Sequence, residues 1–135
     1  MNTRQHQGFI YEAMFKVLAL RRMFDVLEPS TVQPYDLVVE CPTGLVKVQV
    51  KGSNYLTEAS AVRMKLSEYK TLPDFTTLYD VLACYAQPFG CWYILPTYLL
   101  KTRTVRFYEN PKKISKWEQY KDNWSPFYQK EKGET

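Results

Sequence analysis

Histidine is nearly missing from this chain: His6 is the single one in 135 residues. One imidazole cannot build a His-based catalytic triad or a His-rich metal site within one chain. Cysteine is scarce as well. Cys41, Cys84 and Cys91 form an odd set without CxxC spacing. They read as reduced, core-packing thiols of a cytosolic protein, not as a disulfide frame or a zinc site. Neither GxxxxGK[ST] nor GxGxxG occurs, so a nucleotide-cradling loop has no support. Apolar runs stay short of the roughly 18 residues a membrane span needs. The opening MNTRQHQGFIYEAMF lacks the apolar region of a secretion signal. Membrane attachment is therefore not expected. Internal repeats and low-complexity tracts are absent too.

What is present suffices for a globular body. Hydrophobic residues make up 45% and aromatics 16% of the chain, enough to bury one core and to predict a single domain over 1–135. The net charge of +4 is unevenly placed. Residues 1–100 hold 9 Lys/Arg and 9 Asp/Glu, whereas 101–135 hold 9 and 5. The last 35 residues therefore form a basic aromatic extension, compatible with a polyanionic partner or with a solvated surface.

Helical spacing runs from Gly8 to Phe24, with Ile10, Ala13, Met14, Val17 and Leu18 on one stripe and Glu12 beside it. His6 falls before it, in a segment expected to fray. Pro29 and Ser30 end the pattern. Two strands follow, Asp36–Glu40 and Leu45–Lys51, joined by Cys41-Pro42-Thr43-Gly44. If Glu40 faces Leu45, Asp36 lies opposite Gln49, with Lys51 next on the same face; opposed side chains stand roughly 5 Å apart at Cβ. Ala61–Leu66 alternates and is expected to extend the sheet. Thr77–Tyr85 and Cys91–Leu95 read as buried strands around a turn at 87–90, and Val105–Tyr108 as a short edge strand. Pro111 is placed to open a terminal helix over Lys112–Lys121. The order predicts an α/β or α+β fold around a mixed sheet flanked by helices.

The polar residues that interrupt the hairpin suggest chemistry. A phosphodiester nuclease needs oxygen ligands for Mg²⁺, a metal to polarise the phosphoryl group and activate water, and a cation against the charge that develops at phosphorus. Glu12, Asp36, Gln49 and Lys51 are the candidates to supply these parts.

Pro34-Tyr35-Asp36, then twelve residues, then Gln49-Val50-Lys51, after a helical Glu12, resembles the PD-(D/E)XK nuclease superfamily with its restriction-endonuclease-like core. The likeness is strongest to its small branch of group I intron-encoded homing endonucleases, which carry QxK. It extends over "GFIYEAMFKVLALRRMFDVLEP", "DVLACYAQPFGCWYILP" and "YENPKKISKWEQYKDNW". The resemblance implies Asp36 and Glu12 as metal-binding acids and Gln49 as a neutral ligand through its amide oxygen. It implies the Val50 carbonyl as a further ligand and Lys51 as the catalytic cation. It further implies cleavage of double-stranded DNA with Mg²⁺, with Mn²⁺ substituting, by a homo-oligomer, a dimer or tetramer. At Gln49 the chain departs from the superfamily's commonest acid, and the lost negative charge weakens the hold on a cation.

Other readings stand beside this one. Asp36 also fits a strand start, Gln49 and Lys51 the solvated face of an edge strand, and Glu12 the flank of an amphipathic helix. A Holliday-junction resolvase-like or phage repair nuclease shares the same core. A DNA-binding module that has lost cutting would keep the basic surface alone. Ser53 and Asn54, just past Lys51-Gly52, are candidates for phosphate contact. Lys112, Lys113, Lys116 and Lys121 are candidates for tracking the DNA backbone, with Trp117, Tyr120 and Trp124 packing back on the body or forming a subunit contact.

Overall fold

The computed structural model describes residues 1–68, 70–109 and 115–129. Its first element is helix α1, Thr3–Arg21. Asn2 caps it: its side chain accepts from the Gln5 amide at 2.8 Å, and the Gln5 side chain accepts from the Asn2 amide at 3.3 Å. This reciprocal cap satisfies two of the four orphan amides of a helix start. It sets the start five residues before Gly8, so His6 lies inside the helix instead of in a frayed end. The buried face is also rotated from the expected stripe. Tyr11, Phe15 and Ala19 are buried, while Ile10, Ala13 and Val17 are exposed. The aromatic rings claim the core because each buries more apolar area than an aliphatic neighbour.

Strands β1 (Asp25–Leu27), β2 (Leu37–Cys41), β3 (Gly44–Ser53), β5 (Val81–Ala86) and β6 (Cys91–Pro96) form one sheet in the order β1-β2-β3-β5-β6. The sheet is mixed: β3 pairs parallel with β5, and the other pairs are antiparallel. The hairpin takes the expected register, with Glu40 opposite Leu45 and Leu37 opposite Val48. Pro42 and Thr43 make its turn, and Gly44 follows at φ 111°, a conformation that favours glycine. The expected strand from Thr77 starts only at Val81, because Asp74 caps a 3-10 turn over Phe75–Thr77.

Strand β4 (Ala61–Lys65) does not extend this sheet as expected. It pairs antiparallel with β7 (Thr104–Tyr108) in a separate two-stranded ribbon. Two cores result, one on each face of the large sheet. On one face α1 packs against Val46, Val48, Val50 and Ile94, with Trp124 and Phe127 from the C-terminal segment. There Phe15 stacks on Trp124 at 5.0 Å between centroids. On the other face the ribbon contributes Val62, Met64, Val105 and Phe107 against Leu82, Cys84, Tyr93 and Leu95. Phe107 stacks on Tyr93 at 4.0 Å. One α-helix therefore flanks the sheet among the described residues, and a β-ribbon covers its other side.

Pro111, Lys112 and Lys113 lie outside the described residues. Over the described part of the expected terminal helix, from Ser115, the chain forms turns and a 3-10 turn at Glu118–Tyr120. An α-helix there loses to the pull of both cores: Trp117 enters the ribbon-side core and Trp124 the helix-side core. The segment is pinned to β6, where Asp122 donates its amide to the Trp92 carbonyl and accepts the Trp92 amide on its carboxylate at 3.0 Å. No helix of the described residues is long and apolar enough to cross a membrane.

Candidate active site

The site forms where β2 stops short of β3. Strand β2 begins at Leu37, opposite Val48. Asp36 just precedes it and donates its amide to the Val48 carbonyl at 2.9 Å. The Asp36 carboxylate then reaches past the end of its own strand and accepts the Val50 amide at 2.8 Å. Amide and carbonyl of one strand residue face the same edge. The Val50 carbonyl thus points to the side of β3 that β2 has vacated.

Glu12 reaches this point from α1 because Gly52 lets the helix come close. A Cβ added at Gly52 would stand 2.2 Å from the Tyr11 ring, so the bare backbone of β3 seats that ring. Tyr11 is further tied down by its hydroxyl, which donates to Gln87 at 2.9 Å. The neighbouring residue, Glu12, is thereby set against Asp36. Glu12 and Asp36 line one cleft, close enough for a carboxyl–carboxyl hydrogen bond. Burial, then the Asp36 charge, that hydrogen bond and Glu28 push Glu12 up to about 7. Burial also raises Asp36, against the lowering pull of the Val50 amide, the Glu12 hydrogen bond and Lys51.

Gln49 and Lys51 are half-buried on β3, with side chains on the face opposite Val48 and Val50. Across the parallel pair Gln49 meets Leu82 and Lys51 meets Cys84. Lys51 acts electrostatically on both Asp36 and Cys84. The three thiols are free. Cys84 is fully buried and pushed up to about 12 by that burial, so it is a packing group and not a nucleophile.

Two clefts open beside this cluster. One, of about 620 Å³, is lined by Glu12, Asp36, Tyr35, Lys16 and Glu28, the last two paired at 3.2 Å. The other, of about 790 Å³, lies at the far end of β3 and takes in Lys51, Ser53, Asn54, Arg4, Arg63 and Lys65. Four cations against one acid, Glu68, which stands 3.8 Å from Lys65, leave this cleft with a positive balance that suits a polyanion. Arg4, Arg63 and Lys65 were not visible as a group in the sequence, because a helix start and a ribbon strand supply them. Lys116 and Lys121 are not brought here. Lys116 lies over the Trp117 ring at 4.6 Å; Lys121 is in the segment beside β6, two strands from Lys51, and stands 4.0 Å from Glu118. Lys112 and Lys113 lie outside the described residues.

The donor set fits a hard divalent cation. Among the described residues no cluster of three His, Cys, Asp or Glu groups occurs, so the two acids need neutral oxygens to complete a shell. The Val50 carbonyl, on the same strand edge as the amide that Asp36 accepts, is one such oxygen. Oxygen-only ligation is what Mg²⁺ takes. Two carboxyls that burial pushes up side by side also mark a place where a cation relieves repulsion.

Comparison with known proteins gives the family and the fold. A sequence profile described as PD-(D/E)XK endonuclease matches residues 1–126. The fold is similar to that of the bacterial homing endonuclease I-Ssp6803I, with TM-score 0.80 and 21% identity over 96% of this chain and 94% of that one. It is similar also to Hjc, a Holliday junction resolvase of Archaeoglobus fulgidus, with TM-score 0.51 and 16% identity over 84% of this chain and 95% of that one. No curated protein matches the sequence.

Proposed function

The chain belongs to the PD-(D/E)XK endonuclease family, and from that premise we propose that it is a Mg²⁺-dependent enzyme cutting double-stranded DNA at a defined site. The observation that carries the reading is the Asp36 carboxylate held on the Val50 amide at the vacated edge of β3, with Glu12 lining the same cleft. Glu12, Asp36, the Gln49 amide oxygen and the Val50 carbonyl are the groups that would hold the cation, with Mn²⁺ as a substitute. A cation held there supplies Lewis-acid polarisation of a phosphoryl oxygen and a more acidic water. The chain's own residues do the rest. Asp36 is oriented by the Val50 amide, so its free oxygen is fixed in direction before any ligand arrives. Lys51 places a positive charge beside it, where it offsets charge building on the scissile phosphate. Arg4, Arg63 and Lys65, with Ser53 and Asn54, line the cleft past Lys51 and would seat the flanking backbone. Lys116, Lys121, Lys112 and Lys113 are left to a more distant contact with the duplex.

The reading includes one domain over 1–135, an intracellular setting in which three free thiols stay reduced, and a homo-oligomer that addresses two strands. Phe9, Ile10, Val17, Leu20 and Met23, exposed on and just after α1, support a subunit contact. Its test is incubation with supercoiled and linear duplexes, with and without Mg²⁺, beside Asp36→Ala and Lys51→Ala. Loss of Mg²⁺-dependent cutting in both variants supports the site. Equal cutting by the variants refutes it. The likeness to a Holliday junction resolvase favours adding a four-way junction, and preference for it over linear DNA would move the substrate class to branched DNA. Salt-sensitive binding without any cutting would leave a module that has lost catalysis.

A further inference from the structure

The outer face of the β4–β7 ribbon carries charge that the fold does not answer. The ribbon turns Val62, Met64, Val105 and Phe107 to the core. The alternate residues Arg63 and Lys65 on β4 and Arg106 on β7 are exposed. Register sets Arg63 directly opposite Arg106. Side chains so opposed start roughly 5 Å apart at Cβ, and like charges in that position destabilise a strand pair. Among the described residues no ion pair relieves either guanidinium. Lys65 stands 3.8 Å from Glu68, both of them exposed. The face continues into the site, since Arg63 and Lys65 line one cleft with Lys51. Strand β4 is the one that packs against β3, so Arg106 on β7 stands one strand, about 5 Å, further from Lys51.

A two-stranded antiparallel ribbon fits the major groove of B-DNA, about 12 Å wide, and not the minor groove, about 6 Å wide. A cationic outer face suits the same polyanion that the cleft suits. With the backbone near the cut held in the cleft by Lys51, Arg63 and Lys65, a side chain one strand further along this face passes the phosphates and meets base edges. Arginine is apt there, because its planar fork pairs with O6 and N7 of guanine together. We infer that the β4–β7 ribbon lies in the major groove beside the cut and that Arg106 reads a guanine there, while Arg63 and Lys65 hold the backbone. Arg106 is thus a specificity-determining residue. The inference rests on the double-stranded DNA substrate proposed above.

Selection from a pool of randomised duplexes tests this, with a chelator present so that binding is read without cutting. The panel is wild type, Arg106→Lys and Arg63→Lys. Wild type should enrich a sequence with a guanine at a fixed position. Arg106→Lys keeps the charge and loses the fork, so preference at that position should fall about tenfold, with the salt slope and the other positions unchanged. Arg63→Lys should leave every preference in place, as a backbone contact does. Replacing the selected guanine by 7-deazaguanine removes the N7 acceptor from the major groove and leaves the minor-groove edge intact. Wild type should bind that duplex about threefold to tenfold more weakly, the scale of one lost hydrogen bond, and Arg106→Lys should bind both duplexes alike. Selection of the wild-type sequence by Arg106→Lys overturns the inference, as does equal binding of the two duplexes by wild type. Cutting with Mg²⁺ is scored separately. A wild type that reads guanine through Arg106 and cuts nothing upholds the ribbon and refutes the nuclease. A wild type that cuts and selects no sequence refutes the ribbon and the defined site together.

Discussion

Changing Glu12 to glutamine should flatten the pH dependence of stability in the metal-free protein. In the folded chain burial and Asp36 lift the Glu12 carboxyl from 4.5 to about 7. The sign follows from linkage: a folded pKa above the unfolded one means that the native state holds the extra proton. The stabilisation is complete below pH 4.5 and is lost as pH rises through 7. At 1.36 kcal/mol per pH unit the whole gap is worth about 3 kcal/mol, of which about 2 falls between pH 5.5 and 8. Glu12 sits on an open cleft, and solvent screening brings the expectation to about 1 kcal/mol. Asp36 is raised as well and adds in the same direction. Urea unfolding at pH 5.5 and pH 8, in the presence of a chelator, measures the loss. Wild type should lose about 1 kcal/mol more than Glu12→Gln over this range. Millimolar Mg²⁺ at pH 8 should recover it for wild type only. Parallel pH profiles for the two proteins would show that the acids do not share a proton, and the pairing argued above would be wrong.

Three further outcomes follow from the same geometry. Gly52→Ala drives a Cβ into the Tyr11 ring, which should cost about 1–3 kcal/mol by overpacking and draw Glu12 off the site; urea unfolding together with Mn²⁺ titration reads both effects. Gln49→Glu adds a negative ligand and should lower the Mg²⁺ needed for half-maximal cutting by about tenfold, the equivalent of about 1.4 kcal/mol; an unchanged requirement would remove Gln49 from the shell. Arg63→Ala and Lys65→Ala should each reduce the salt slope of duplex binding by about one, measured by fluorescence anisotropy; a slope equal to wild type would clear that cleft of DNA.

The parts of the fold visible in the sequence were those fixed by local pattern. The hairpin register followed from valine alternation and a short Pro/Gly connection, and Glu40 stands opposite Leu45 as expected. What stayed hidden depended on distance along the chain. The pairing of β4 with β7 joins Ala61 to Tyr108, and no local signal distinguishes that ribbon from another strand of the main sheet. Strand β1 was missed because three residues after a left-handed Met23 make no period. The helix face was misjudged because Tyr11 and Phe15 count less on aliphatic pattern than Ile10 and Val17, although their rings bury more. The terminal helix was suggested by Pro111, yet its described part from Ser115 forms turns and a 3-10 turn that carry Trp117 into the ribbon-side core.

The Phe15–Trp124 stack has a consequence for biosynthesis. Phe15 on helix α1, which bears Glu12, precedes Trp124 and Phe127 by more than a hundred residues in order of synthesis. A nascent chain therefore carries its acid on an element without its apolar seat. Truncation after Lys121 should leave the amides of α1 quick to exchange with deuterium; full protection in that fragment would refute the dependence. Docking of the closing segment thus completes the apolar seat of the helix that bears Glu12.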